Sequence, residues 1–153
     1  SDYFGPGVGP KVSFLQNLVL SKVRAGRNIA LPIGDPQAPH TWTYVEDIGE
    51  LAAVLATDDR AWGRAWHVPS AAPRSFCEVA DDGAKVLGAP TPTVKLLPGV
   101  VRTMLRLVPI IRAIDETRHQ FEAPFVMDST AAQQVFGLRP TPWLEALETT
   151  LMS

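Results

Sequence analysis

Between His40 and Ala56 the hydrophobic period of the chain changes from two to about three and a half, with almost no linker between the two patterns. Thr41 to Val45 are all β-branched or aromatic, which suits a half-buried strand with Trp42 and Tyr44 on one face and Thr41, Thr43 and Val45 on the other. Beyond them Ile48, Leu51, Ala52 and Leu55 recur at i, i+3, i+4 and i+7, the stripe of an amphipathic helix. Asp47 and Glu50 have the spacing of a capping box at its start. A strand feeding directly into a helix points to α/β architecture.

The rest of the chain extends this pattern. Gly5-Pro6-Gly7-Val8-Gly9-Pro10-Lys11 has the glycines of a phosphate loop but not their spacing, and its two prolines remove N–H donors, so it reads as a rigid turn. Val12, Leu15, Val19 and Val23 then mark a helix that Gly26 terminates, and residues 28–32 read as extended. Residues 65–68 and 93–97 have strand composition, and Ser75 with Glu78 caps a helix whose inner face is Phe76, Val79, Ala80, Gly83 and Leu87. Pro98 opens a helix carrying Val100, Val101, Met104, Leu105 and Val108, Pro109 breaks it, and a second apolar segment runs through Ile110, Ile111, Ile114 and Phe121. Residues 125–127 read as a last strand. Asp128 or Ser129 caps a helix ending at Gly137, and Thr141 caps a closing helix with Pro142 at its first position.

Length and charge narrow the function classes. A chain of 153 residues can bury one core, and no repeat or linker divides it, so residues 1–153 read as a single unit. A net charge of −2 offers no footprint for nucleic acid. Arg102, Arg106, Arg112 and Arg118 interrupt the apolar run too often for a membrane span. That run reads either as helices with snorkelling arginines or as an apolar lid over a ligand pocket. Cys77 is a single cysteine, which excludes an intrachain disulfide and makes the cytoplasm the expected compartment. Asp2-Tyr3-Phe4 runs straight into Gly-Pro-Gly as though a strand were ending, which is the expected look of a fragment that begins mid-domain.

Local motifs supply little chemistry. His40, His67 and His119 lack metal-ligand spacing, and His67 reads as a hydrogen-bonded structural residue. No Gly-x-Ser-x-Gly elbow is present, and the adjacent pairs Glu46-Asp47 and Asp81-Asp82 diverge on a helix. No catalytic residue and no metal site are therefore assigned.

Four segments, in order, resemble the NAD-dependent epimerase/dehydratase family of extended short-chain dehydrogenases/reductases. Residues 1–7, Ser-Asp-Tyr-Phe-Gly-Pro-Gly, are similar to its Ser-Asn-x-Tyr-Gly-Pro segment, and Thr43-Tyr44-Val45-Glu46-Asp47-Ile48 to its Tyr-Val-x-Asp-Val stretch. Trp66-His67-Val68-Pro69-Ser70 resembles Tyr-Asn-Val-Gly. Met127-Asp128-Ser129-Thr130 and Phe136-Gly137-Leu138-Arg139-Pro140 resemble the Asp-x-Ser-Lys helix and its Leu-Gly-x-x-Pro ending.

The resemblance implies the C-terminal, substrate-side part of a Rossmann-type enzyme, with the N-terminal half that binds NAD or NADP absent. It implies hydride transfer at a carbinol or carbonyl carbon, yet neither Tyr-x-x-x-Lys nor Gly-x-x-Gly-x-x-Gly occurs, so the chain alone is expected to be inactive. It places Ser1 and Asp2 beside the cofactor. At the position of His40, nucleotide-sugar enzymes carry an arginine on the diphosphate; histidine there marks a substrate-binding position suited to a small, more hydrophobic molecule. Rival readings are an inactive dinucleotide-binding redox sensor and a free-standing small-molecule binding module. A piece cut from a parallel sheet exposes strand edges, so self-association is expected.

Overall fold

A computed structural model describes residues 2–9, 12–105 and 119–153. Its elements are short strands wrapped by helices. β1, Asp2–Phe4, lies parallel to β3, Trp42–Tyr44, with Asp2 opposite Trp42, Tyr3 opposite Thr43 and Phe4 opposite Tyr44. β2, Ile29–Leu31, lies parallel to β4, Val94–Leu96, with Ile29 opposite Val94. The two pairs are separate two-stranded sheets whose pairings interleave along the chain.

The turn at residues 5–9 forms as the prolines predict, closed by the Val8 amide on the Gly5 carbonyl at 3.2 Å. The helix behind it, α1, opens with a π-helical stretch, Gln16–Leu20, and continues as Ser21–Arg24. Leu15, Val19 and Val23 are buried, Val12 is exposed, and Gly26 ends the helix at φ +61°. The period of apolar residues showed the helix but not its π turn, which demands only one extra residue in the backbone ring.

The strand-to-helix junction is tighter than the sequence suggests. β3 covers only Trp42–Tyr44, and α2, Val45–Thr57, starts at once with Tyr44 in its N-cap position. Trp42, Thr43 and Tyr44 are all buried, so β3 is covered on both faces rather than one. The capping box expected from Asp47 and Glu50 does not form; Asp47 lies inside the first turn, and its carboxylate reaches elsewhere. The box at Ser75 and Glu78 does form, at 3.2 and 2.7 Å, opening α3, Phe76–Val86.

Two expected strands are absent because they find no ladder. Residues 65–68 are irregular, held by the Trp66 indole donating to the Ala61 carbonyl at 2.8 Å. Phe125 makes only an isolated bridge to His40. Beyond β4, α4 is Gly99–Leu105, with Val100 and Met104 exposed; the break at Pro109 and the apolar segment through Ile114 lie outside the described residues. α5, His119–Glu122, buries Phe121. α6, Thr130–Phe136, is entered by the Asp128 carboxylate accepting from the Thr130 amide at 2.8 Å and left at Gly137, φ +70°. α7, Trp143–Met152, has Pro142 in its N-cap position, so Thr141 is not its cap.

One core joins these parts. Phe4, Leu15, Val19, Leu31, Trp42, Phe76, Val79, Phe121 and Leu147 belong to a single buried cluster. Burying a side chain of this size contributes about 1.5–3 kcal/mol. Among the described residues no helix is long and apolar enough to cross a membrane, and no group of three His, Cys, Asp or Glu side chains could hold a metal ion.

Candidate functional site

The resemblance singles out Ser1, Asp2 and His40. Ser1 lies outside the described residues. Asp2 and His40 fall close together, because parallel pairing sets Asp2 opposite Trp42, two residues after His40. The structure thus brings onto adjacent segments two positions far apart in sequence.

Asp2 acts on the polypeptide itself. One carboxylate oxygen accepts from the Tyr3 amide at 3.0 Å, and the other from the Ser13 hydroxyl at 3.2 Å and the Leu15 amide at 2.6 Å. It therefore satisfies amide donors at the start of the first helix from the neighbouring strand, the work a capping residue does from within its own segment. Burial raises its carboxyl above the ordinary 3.8, against these hydrogen bonds, which lower it.

His40 is only 1% exposed. Its ring stacks on Trp42 at 4.9 Å, Phe121 at 5.0 Å and Phe125 at 5.6 Å between centroids, with Phe76 at 6.3 Å. Such pairs contribute about 0.5–1.5 kcal/mol each beyond burial. Nε2 hydrogen-bonds the Gln120 carbonyl. A carbonyl only accepts, so Nε2 carries the proton and Nδ1 is the lone-pair nitrogen of the neutral ring. Nδ1 is buried with no hydrogen-bond partner among the described residues. Burial holds the imidazole below its ordinary 6.5, and the Gln120 bond offsets only part of this.

The His40 backbone is also fully engaged. Its amide and carbonyl exchange bonds with Arg74 at 3.0 and 2.9 Å, and the next amide, Thr41, donates to the Phe125 carbonyl at 3.0 Å. The Trp42 indole donates to the Arg74 carbonyl at 2.7 Å, locking the ring that stacks on His40. Sequence reading missed this aromatic enclosure. Its members come from three segments, residues 40–42, the start of α3 and residues 121–125, and only the apolar character of Phe76 and Phe121 hinted at their burial.

Other groups singled out from sequence serve structural ends. Burial raises the Cys77 thiol, with Asp35 and Glu78 adding to the shift, so it is held away from the thiolate form. The His67 ring meets the Asp128 carbonyl at 2.8 Å, in line with its reading as a hydrogen-bonded residue, although the residue is exposed. A cleft of about 250 Å³ is lined by Asn28, Ile29, Ala30, Thr93 and Lys95, and another of about 190 Å³ by Val8, Gln16, Leu20, Ser21 and Arg24. Neither includes Asp2 or His40.

The described residues do not make a dinucleotide cradle. The glycine turn at residues 5–9 leads into a helix but lacks the required glycine spacing, and the Asp2 carboxylate is committed to Tyr3, Ser13 and Leu15. No route for holding a pyrophosphate on backbone N–H groups follows from them.

No protein-family model matches the chain, and no curated protein matches its sequence. Solved structures do match its fold. UDP-glucuronic acid 4-epimerase from Bacillus cereus, in complex with UDP-glucuronic acid and NAD, superposes with a TM-score of 0.69 at 18% identity, covering 99% of this chain and 42% of that one. The DesIV double mutant, a dTDP-glucose 4,6-dehydratase from Streptomyces venezuelae with NAD bound, gives 0.66 at 17% identity, covering 99% and 40%. dTDP-glucose 4,6-dehydratase from Bacillus anthracis in complex with NAD gives 0.62 at 15%, covering 99% and 41%. The chain is a mixed α/β unit that matches part of the epimerase/dehydratase fold, and it spans about two fifths of the length of these enzymes.

Proposed function

We propose that residues 1–153 form, as one unit, the C-terminal, substrate-side portion of an NAD(P)-dependent oxidoreductase or epimerase acting on a carbinol or carbonyl carbon. The observation that carries this reading is the superposition of 99% of the chain on enzymes whose structures hold NAD, over about two fifths of their length. The missing Tyr-x-x-x-Lys and glycine fingerprint agree with it, because a substrate-side portion leaves both the acid/base pair and the cofactor cradle to other residues. In this reading Ser1 and Asp2 border the cofactor, with Asp2 shaping the site through the helix start it holds rather than through a free carboxylate.

His40 bears on the substrate. A buried neutral imidazole stacked among Trp42, Phe121 and Phe125 is a poor receptor for a diphosphate, which calls for an exposed, permanently charged, bidentate donor. The substrate class is accordingly a small alcohol or ketone rather than a nucleotide sugar.

Calorimetric titration of NAD+ and NADP+ into two preparations tests the division of labour: this chain, and the product of the complete open reading frame. The complete product is expected to bind one of them and this chain neither. Absence of binding by the complete product, or tight binding by this chain alone, refutes the proposal.

A further inference from the structure

The segment from His119 to Phe125 lies as a strap against residues 35–41. Besides the His40–Gln120 bond, it is fastened by the Asp35 amide on the Phe121 carbonyl at 2.7 Å, the Phe125 amide on the Pro39 carbonyl at 3.0 Å, and the Thr41 amide on the Phe125 carbonyl at 3.0 Å. Phe121 and Phe125 lie against the His40 ring. His40 is therefore the one titratable side chain among the described residues that joins the strap to β3 by both a hydrogen bond and ring stacking.

We propose that His40 is a protonation latch: neutral, it clamps the 119–125 strap through Gln120 and the aromatic stack, and on gaining a proton it releases the strap while the rest of the fold stays closed. The neutral tautomer suits these surroundings better than the charged ring, since Nε2–H meets a carbonyl and the Nδ1 left unpaired among the described residues is a neutral acceptor, cheaper to bury than a charged N–H donor. An imidazolium would instead bury a charge and an N–H donor for which the described residues offer no acceptor.

No charged group on the described elements around the ring compensates. Arg74 turns its guanidinium to Asp82, with Nε 3.4 Å from the carboxylate, and Glu78 accepts from the Ser75 amide at 2.7 Å. Asp35 accepts from the Gln37 amide at 2.9 Å. His119 and Glu122 belong to the strap itself, and neither bonds Nδ1.

The direction of the effect follows from burial. The folded imidazole lies below 6.5, so the closed strap prefers the neutral ring. The latch is at full strength above 6.5, the value in the opened chain, and weakens as pH falls below it until the folded value is reached. Within that window opening should rise about tenfold per pH unit.

Amide hydrogen exchange, corrected for the intrinsic rate and followed from about pH 8 to about pH 5, reads this directly. The Phe125, Thr41 and Asp35 amides are expected to lose protection at acid pH, while the Leu87 amide, bonded to the Gly83 carbonyl in α3, keeps its own. In His40→Gln, which retains a donor for Gln120 but does not titrate, strap protection should be independent of pH. Protection that is constant with pH in the wild type, equal acid loss in His40→Gln, or simultaneous loss at Leu87 overturns the proposal. If the variant fails to fold, the NMR titration of the wild-type His40 ring decides: a folded value at or above 6.5 rules the latch out.

Discussion

Replacing Asp47 separates two descriptions of a buried carboxylate. Asp47 is 5% exposed in the first turn of α2 and receives three contacts from Thr141: the hydroxyl at 2.6 Å on one oxygen, and the amide at 3.2 Å from each. It ties the entry of α7 to α2. Asp47→Ala leaves both Thr141 donors without that acceptor, at about 1 kcal/mol each, so the expected loss is about 2 kcal/mol. For a chain of this size that corresponds to a fall in Tm of about 4–8 °C. Asp47→Asn keeps an acceptor oxygen and removes a buried charge, so it should cost under about 1 kcal/mol.

The pH dependence sharpens the comparison. Burial raises the Asp47 carboxyl above 3.8, with Thr141 opposing the shift, so the folded state favours the protonated acid more than the unfolded state does. That contribution is present at low pH and is lost as pH rises through the folded value, whereas Asn does not titrate. The deficit of Asp47→Asn should therefore shrink from acid to neutral pH. Urea unfolding with unchanged m-value is the measurement. If Asn costs as much as Ala at neutral pH, or Ala costs less than about 0.5 kcal/mol, the tether is not worth what its geometry implies.

Two further substitutions probe the frame around the site. Ser75→Ala breaks the capping box of α3 and should cost about 1 kcal/mol by urea unfolding, with Ser75→Gly costing only a few tenths; equal losses would show that the hydroxyl is not acting as a cap. Gly34→Ala places a Cβ 2.7 Å from the Phe121 carbonyl oxygen at φ +92°, so it should destabilise by about 1–3 kcal/mol and weaken protection of the Asp35 amide; a neutral result would show that the strap yields there without cost.

How much of this was legible in sequence depended on how far each signal reaches. The Ser75–Glu78 box and the glycine stops at Gly26 and Gly137 are complete within a few residues and formed as read, and of the two residues read as capping α6 it is Asp128, not Ser129, whose side chain accepts from the helix start. Asp47 and Thr141 each had a local reading as a cap; the tertiary bond between them used the same side chains. Strand composition at residues 65–68 and 125–127 failed for a related reason. A strand exists only with a partner edge, and nothing local announces whether one arrives. The order of segments did imply an epimerase/dehydratase-like fold, but the burial of His40 depended on Trp42, Phe76, Phe121 and Phe125 meeting in space.

The interleaved pairing of the strands also governs how the chain must assemble. β1 waits for β3 and β2 waits for β4, and each pair encloses a strand of the other. Neither sheet can zip from a hairpin, so loop closure precedes any ladder bond, and formation should be slow for the chain's size. A cut between β2 and β3 would divide both sheets at once. On a ribosome, the edge of β2 stays unpaired until residue 96 has emerged, which makes it the element most in need of shielding during synthesis.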